Sequence, residues 1–422
     1  MQEKTKHIKF RITTLVIILL QLSLTAQKNI TLLYTNDIES VYEPIDAFWN
    51  DSIELIGGLP YLATLIDQVR AEEELSFLFD AGDIFTGSLS AATKGKLPFD
   101  VYSSMGYDAI CLGNHEFEYG WEQLLHVKQR ASFPVLNCNI FYENTDIHFA
   151  QSYTIVEKEG IRIGLIGSMG IDAFLYTMNP AHRIGLEVRN PIPIIQKIVD
   201  EIREEVDLVV LLTHQNQTAP MQTDKEADEA VQRGFEEDYE MAGKVRGVDI
   251  IFGGHSDNGL WEPVVHPESG TMVCMTFGQG KYLGYLNLSL VDSHLQVNES
   301  KLIPVDVSQL KPDKKISQLV EKVRKEHKEL TQIIAKVDQP GYRKYYREST
   351  IGNFMADMMR KVSKADIGLV NSGSIRADLN KGDITSEELS NIYPFLDTYH
   401  ICLLYTSPSP RDATLSRMPS SA

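Results

Sequence analysis

A chain of 422 residues, 43% apolar and 23% charged, has room for two or three domains with cores of their own and is neither fibrous nor disordered in composition. Its formal charge of −18 excludes a diffuse attraction for nucleic acid or anionic lipid, so any phosphate it handles must be met by local cations, metal ions or a few placed arginines. The cysteines Cys111, Cys138, Cys274 and Cys402 lack metal-type spacing. Three lie in strand-like contexts where buried free thiols are as reasonable as pairs, so no disulfide is assigned.

In chain order, Lys4, Lys6, Lys9 and Arg11 precede a short apolar run, Ile12 to Leu24, and then Thr25-Ala26-Gln27. That is the pattern of a signal peptide over residues 1–26, with an uncleaved anchor helix as the alternative. Cleavage would remove four bases and one acid, leaving −21 and no segment for stable membrane insertion. A periplasmic or secreted location is the corresponding expectation.

Residues 27–305 alternate strand-like runs with amphipathic stretches. The strands are expected at Ile30–Tyr34, Leu75–Phe79, Ala109–Leu112, Val135–Asn139, Ile161–Ile166, Val206–Thr213, Val248–Phe252 and Met272–Phe277. Helices are expected at Pro60–Glu73 and Ile192–Glu205, and Lys158-Glu159-Gly160 reads as a turn between paired strands. This describes an α/β layered domain. A charged amphipathic helix over Asp313–Val337 reads as the main part of a linker, residues 306–337, before a second α/β segment at 338–402. The remaining residues, 403–422, rich in Ser and Pro and without periodicity, read as a non-native tail.

The polar residues just beyond each strand carry the chemistry. Asp37 and Glu39 come after the first strand, and in extended chain residues two apart share a side. Two like charges that close repel unless a cation lies between them. "FDAGD" supplies Asp83 after the second strand, and "GNHEFEYG" supplies Asn114, His115 and Glu118 after the third. Further along, "THQN" supplies His214 and "GGHSDNG" supplies His255 and Asp257. Each motif alone is commonplace. Five in order, each at a strand's carboxyl end where α/β sheets place their ligands, predict one shared metal site.

"LLYTND", "FDAGDIFTGS", "MGYDAICLGNHEFEYG", "LLTHQN" and "IFGGHSDNG" together resemble the calcineurin-like metallophosphoesterase domain of the 5′-nucleotidase family, which includes UDP-sugar hydrolases and 2′,3′-cyclic phosphodiesterases. The resemblance runs from about residue 30 to 290, and "NSGSIRADLNKGDITSEELSNIYPF" (371–395) is similar to the family's C-terminal substrate domain. It implies a four-layer α/β/β/α sandwich followed by a linker helix and an incomplete second α/β domain. It implies two divalent ions bridged by Asp83, one held by Asp37, Glu39 and Asp257, the other by Asn114, His214 and His255. His115 would be the catalytic histidine, oriented by Glu118 where the family usually has Asp. Such an ion pair, roughly 3.5–4 Å apart, activates water and clamps the phosphoryl oxygens. No serine or cysteine nucleophile is required.

Two departures fall on one ion. The family writes Asp-x-His where this chain has Asp37-Ile38-Glu39, and Asp257 replaces the usual His, Gln or Asn. The resulting all-oxygen shell favours a hard dication, Mn²⁺, Mg²⁺ or Ca²⁺, while the histidine side would accept Zn²⁺, Fe²⁺ or Mn²⁺. The other possibility is a degenerate position with Glu39 facing solvent. In the second domain the resemblance carries only Arg376 and Phe395 as substrate-binding residues. Arg343 and Arg347 are off the usual offset, Tyr345 stands where an arginine is expected, and a second stacking aromatic would fall beyond residue 402. The implied substrate is a nucleotide or related small phosphate ester, not a nucleic acid polymer. A manganese-dependent thiosulfohydrolase and a non-catalytic, metal-stabilised binding protein are the alternatives.

Overall fold

The computed structural model describes residues 28–47, 49–217, 234–291, 294–344, 347–395 and 398–402. The expected signal peptide, the expected tail and Tyr345 lie outside the described residues. Two compact units divide between His327 and Lys328.

The first unit is built on two six-stranded sheets. In one, β1 (Lys28–Thr35) lies parallel to β2 (Ser76–Asp80), β2 to β3 (Ala109–Cys111), and β3 to Val135–Leu136. On the other side of β1, the antiparallel hairpin Tyr282–Val291 and His294–Pro304 completes the sheet. In the second sheet, β4 (Leu208–His214) runs parallel to both Ile161–Met169 and β5 (Ile250–Gly254). Tyr153–Lys158 pairs antiparallel with Ile161–Met169, and the expected turn residues Glu159 and Gly160 take φ 50° and 73°, the paired left-handed geometry of a tight hairpin.

Strand runs this continuously apolar need cover on both faces. Ile30, Leu32, Phe77 and Phe79 of the first sheet bury against Ile163, Val210, Leu212 and Phe252 of the second, with Tyr34 stacked on Phe252 at 4.5 Å between ring centres. The opposite residues of the second sheet, Ile166, Val209, Leu211 and Ile251, pack with helices Pro191–Ile202 and Glu236–Lys244. Helix Leu59–Glu72, with Pro60 in its first turn, packs on Tyr282–Val291. Each such large side chain, fully buried, contributes about 1.5–3 kcal/mol. The architecture is the α/β/β/α sandwich that the resemblance implied.

Two local readings differ from what forms. The helix expected over Asp313–Val337 ends at Glu326, and Ile333–Val337 is a strand paired with Gly382–Thr385 inside the second unit. Apolar spacing continued past the real helix end, and long-range pairing decided the outcome. The long hairpin Tyr282–Pro304 has no counterpart among the expected strands. Within the second unit, Ser349 caps helix Thr350–Ser363, and a Thr385–Glu388 capping box starts helix Ser386–Ile392. Its small core is Ile351, Ile375 and Ile392, while Val362, Ile367 and Leu369 stay exposed.

Candidate metal centre

The carboxyl ends of β1 to β5 lead into loops that are hydrogen-bonded to one another. Asp37 N–H donates to the Gly82 carbonyl (3.0 Å), Glu39 N–H to the Asp83 carbonyl (2.9 Å), and His255 N–H to Asp37 Oδ1 (2.8 Å). Glycine is required at the centre of this knot. Gly82 has φ +94°, and a Cβ there would stand 2.7 Å from the Gly113 nitrogen and 3.0 Å from His214 Nδ1. Seven non-glycine residues with positive φ also fall in these loops: Asp37, Glu39, Ser40, Asp83, Thr86, His255 and Asp257. Unfavourable backbone held this densely in one place marks a site that the surrounding fold over-determines.

On one side, three ligand-type atoms converge. His214, wholly buried at the end of β4, donates from Nδ1 to the Ala81 carbonyl (2.8 Å), which turns Nε2 inward. That Nε2 lies 3.0 Å from Asp83 Oδ2, 3.1 Å from Asn114 Oδ1 and 3.2 Å from His255 Nδ1. The ligand atoms of Asp83, His214 and His255 all lie within 4.8 Å of one another. A histidine fixed through one nitrogen by a carbonyl, with the other facing carboxylate and imidazole, is the usual arrangement of a metal ligand. Burial pushes His255 down to about 3, so it is neutral, as a ligand must be. Burial opposes charge on Asp83 too, but His214 and His115 beside it hold its carboxyl well below the usual range. His214 is pulled up to about 9 against its own burial, chiefly by Asp83. The donor set and its demand for positive charge fit a divalent cation.

The acidic side is laid out differently. Asp37 and Glu39 are both buried. Asp37 Oδ2 accepts from Asn36 (2.9 Å), Oδ1 accepts from His255 N–H, and His214 Nδ1 stands 3.8 Å away. Burial raises the Asp37 carboxyl, with Asp83 adding to it and His214 opposing. Glu39 does not face solvent: its Oε1 is 3.7 Å from His115 Nε2. Asp257 is buried with its Oδ1 against Gly278, whose N–H donates to the Asp257 carbonyl (3.3 Å). These three carboxylates do not converge as the histidine side does.

His115 opens a short 3-10 turn after β3. Its Nδ1 donates to Glu118 Oε1 (2.6 Å), and Nε2 faces Asp83 Oδ2 at 3.8 Å. Burial opposes protonation of His115, yet Asp83 and the Glu118 hydrogen bond carry it up to about 10.

Two further buried acids brace the centre. Glu116, two residues from Glu118, accepts backbone N–H bonds from Gly113 (2.5 Å), Asp83 (3.1 Å), Ile84 (2.7 Å) and Phe85 (3.2 Å), tying the second and third loops together. Burial, then Asp83, raise its carboxyl to about 7. Asp238, on helix Glu236–Lys244, accepts from Thr213 (2.6 Å), Gln215 (2.7 Å) and Asn216, the residues around His214. Neither acid was singled out from the sequence, where only Glu118 of "HEFE" was named, and nothing local marked Asp238. In the second unit, Arg376 N–H donates to the Ile392 carbonyl (2.9 Å) and Nη1 to the Gly373 carbonyl (3.3 Å). Phe395 lies edge-on to Tyr393 at 6.0 Å.

The calcineurin-like phosphoesterase family model matches residues 30–258, and that of the 5′-nucleotidase C-terminal domain matches residues 332–405. The 5′-nucleotidase of Vibrio cholerae is 28% identical, covering 87% of this chain and 71% of its own. The mouse 5′-nucleotidase is 27% identical, covering 89% and 69%. Among solved structures, the Thermus thermophilus 5′-nucleotidase precursor superposes with a TM-score of 0.74 at 24% identity, covering 87% of this chain and 74% of that one. The sulfate thiohydrolase SoxB of the same organism does so at 0.70 and 18%, with the same coverage, which speaks to fold alone. With more than half of its length matched, the chain belongs to the calcineurin-like phosphoesterase family and is a 5′-nucleotidase-like hydrolase.

Proposed function

We propose that this hydrolase is an exported enzyme that removes phosphate from nucleotides or similar small esters by direct attack of water. The observation that carries the reading is the convergence of Asp83, His214 and His255 beside the His115–Glu118 pair. Asn114, His214, His255 and Asp83 would hold one dication. Asp37, Glu39 and Asp257 would hold a second, with Asp83 shared between them. Bound dications supply the Lewis acidity that lets water attack phosphorus near neutral pH.

The chain's own residues do the rest. His115 presents Nε2 toward the centre, where its proton offsets charge on the phosphoryl oxygens or the departing oxygen. Glu118 fixes the ring through Nδ1. The carboxylate-rich side favours a hard ion, manganese above zinc. Arg376 and Phe395 would engage the nucleotide through charge and stacking. Export is supported by the basic-then-apolar start of the chain; among the described residues no helix is long and apolar enough to cross a membrane.

Phosphate release from AMP and from bis-p-nitrophenyl phosphate, with and without manganese, tests the reading. His115→Ala should cut turnover by about 10²–10⁴ while leaving metal content intact. Turnover of a thiosulfonate in place of either ester would transfer the site to sulfur chemistry, and turnover of none would leave a binding protein.

A further inference from the structure

Thr86 sits where the second loop enters helix Gly87–Thr93, at the N-cap position. Threonine there normally turns its hydroxyl onto the helix's first free N–H groups. Thr86 makes no such bond. Its Oγ1 instead donates to Glu118 Oε1 at 2.5 Å and lies 2.8 Å from His115 Nδ1, while His115 Nδ1 donates to the same Glu118 oxygen at 2.6 Å. The three groups form a closed triangle around one carboxylate oxygen.

The backbone points the same way. Thr86 has φ 131° and ψ 162°, a region that is essentially reserved for glycine and especially poor for a β-branched residue. It is buried at 3% exposure, so the strain cannot relax into solvent. A residue that forgoes its capping bond and accepts this backbone does so for what its hydroxyl reaches.

We propose that Thr86 is a positioning residue for the reaction, the third member of a Thr86–Glu118–His115 set that fixes the aim of the histidine ring. Glutamate has three side-chain torsions to restrain, and beside the bond from His115 its carboxylate meets the Tyr119 hydroxyl, which is itself bonded to Ser90 Oγ at 3.1 Å. The Thr86 hydroxyl supplies a second anchor on Oε1, the oxygen that accepts from His115. With Glu118 held, Nδ1 keeps its proton directed at the carboxylate. Nε2 is then held toward the centre, 3.7 Å from Glu39 and 3.8 Å from Asp83. Without the hydroxyl, Glu118 and the ring would sample other rotamers, and misplacement of about 1 Å costs up to about 10²-fold in rate.

This inference rests on the phosphoesterase reading, and four variants separate the two. Thr86→Val, Thr86→Ser, Thr86→Gly and His115→Ala are assayed on bis-p-nitrophenyl phosphate with manganese, alongside metal content and the melting temperature of the metal-free protein. Thr86→Val should lower kcat about 10- to 100-fold, with KM and metal content little changed. Thr86→Ser should restore most of the rate. Thr86→Gly should lose the rate equally while melting no lower than wild type, because glycine relieves the backbone; activity and stability then move apart, which a merely structural role would not allow. Full activity in Thr86→Val or Thr86→Gly, with His115→Ala inactive, overturns the inference and leaves the site reading standing. Parallel loss of melting temperature and rate in Thr86→Val, with both kept in Thr86→Gly, also overturns it. Unchanged turnover in His115→Ala removes the site reading and this inference with it.

Discussion

On the histidine side of the centre, His214 Nε2 stands 3.0 Å from Asp83 and 3.2 Å from His255, whereas on the acidic side Asp37 is engaged by Asn36 and by the His255 backbone. Charge explains the contrast. An imidazole and a carboxylate attract each other before any ion arrives, so that half assembles with the fold. Carboxylates repel and are kept apart by N–H donors until a cation offsets them. One half is therefore preorganised by its own chemistry, and the other would be completed only by a bound cation. A first dication should bind on the histidine side and a second, more weakly, on the acidic side.

The strongest test removes Asp83, the residue that the two halves would share. Asp83→Ala should lower turnover by more than about 10³ and abolish binding of a second ion, read by calorimetric titration of the metal-free protein with manganese. Retention of two tight sites would show that the halves do not differ in this way. Glu116→Ala releases four backbone donors from one carboxylate and should weaken metal affinity about 10- to 100-fold, since both loops it joins would carry ligands. Glu39→His changes the acidic side, with His115 beside it, and leaves Asp83, His214 and His255 in place. It should exchange manganese preference for zinc at the weaker site and reduce manganese-supported turnover about tenfold, with the tighter site unmoved.

The last expectation concerns stability and probes the histidine side alone. Burial raises the Asp238 carboxyl from 3.8 to about 6 in the fold, against the pull of its hydrogen bonds. A raised carboxyl costs stability once ionised, so this group destabilises the fold above about pH 6 and is relieved as pH falls toward 4. In metal-free protein, the unfolding free energy of wild type relative to Asp238→Asn should rise by about 2–3 kcal/mol from about pH 7 to about pH 4. A flat difference in urea unfolding would show that Asp238 stays ionised beside Thr213, Gln215 and Asn216.

The five strands and the polar residues at their ends were readable because each is a local pattern: an apolar run, a glycine, a ligand-type side chain. Asp83, His214 and His255 met as that pattern implied. Glu118 was named only through the family resemblance, and Glu116, two residues before it, was passed over; the fold turns one carboxylate to His115 and the other to backbone N–H groups. Asp238 was illegible, being 24 residues beyond His214 on a helix with several other acids. Ile333–Val337 was misread because nothing within it announces Gly382–Thr385 as its partner.

The order of amino acids alone set which residue types stand at the strand ends and hence the kind of chemistry the centre could host, because hydrophobic periodicity and ligand chemistry are written residue by residue. It took the folded chain to decide which of those side chains meet, that Glu39 turns inward toward His115, and that Thr86 leaves its helix for the His115–Glu118 pair. Those outcomes depend on loop backbones forced into left-handed conformations and on hydrogen bonds between distant segments, such as that between His255 and Asp37, 218 residues apart, which no local pattern encodes.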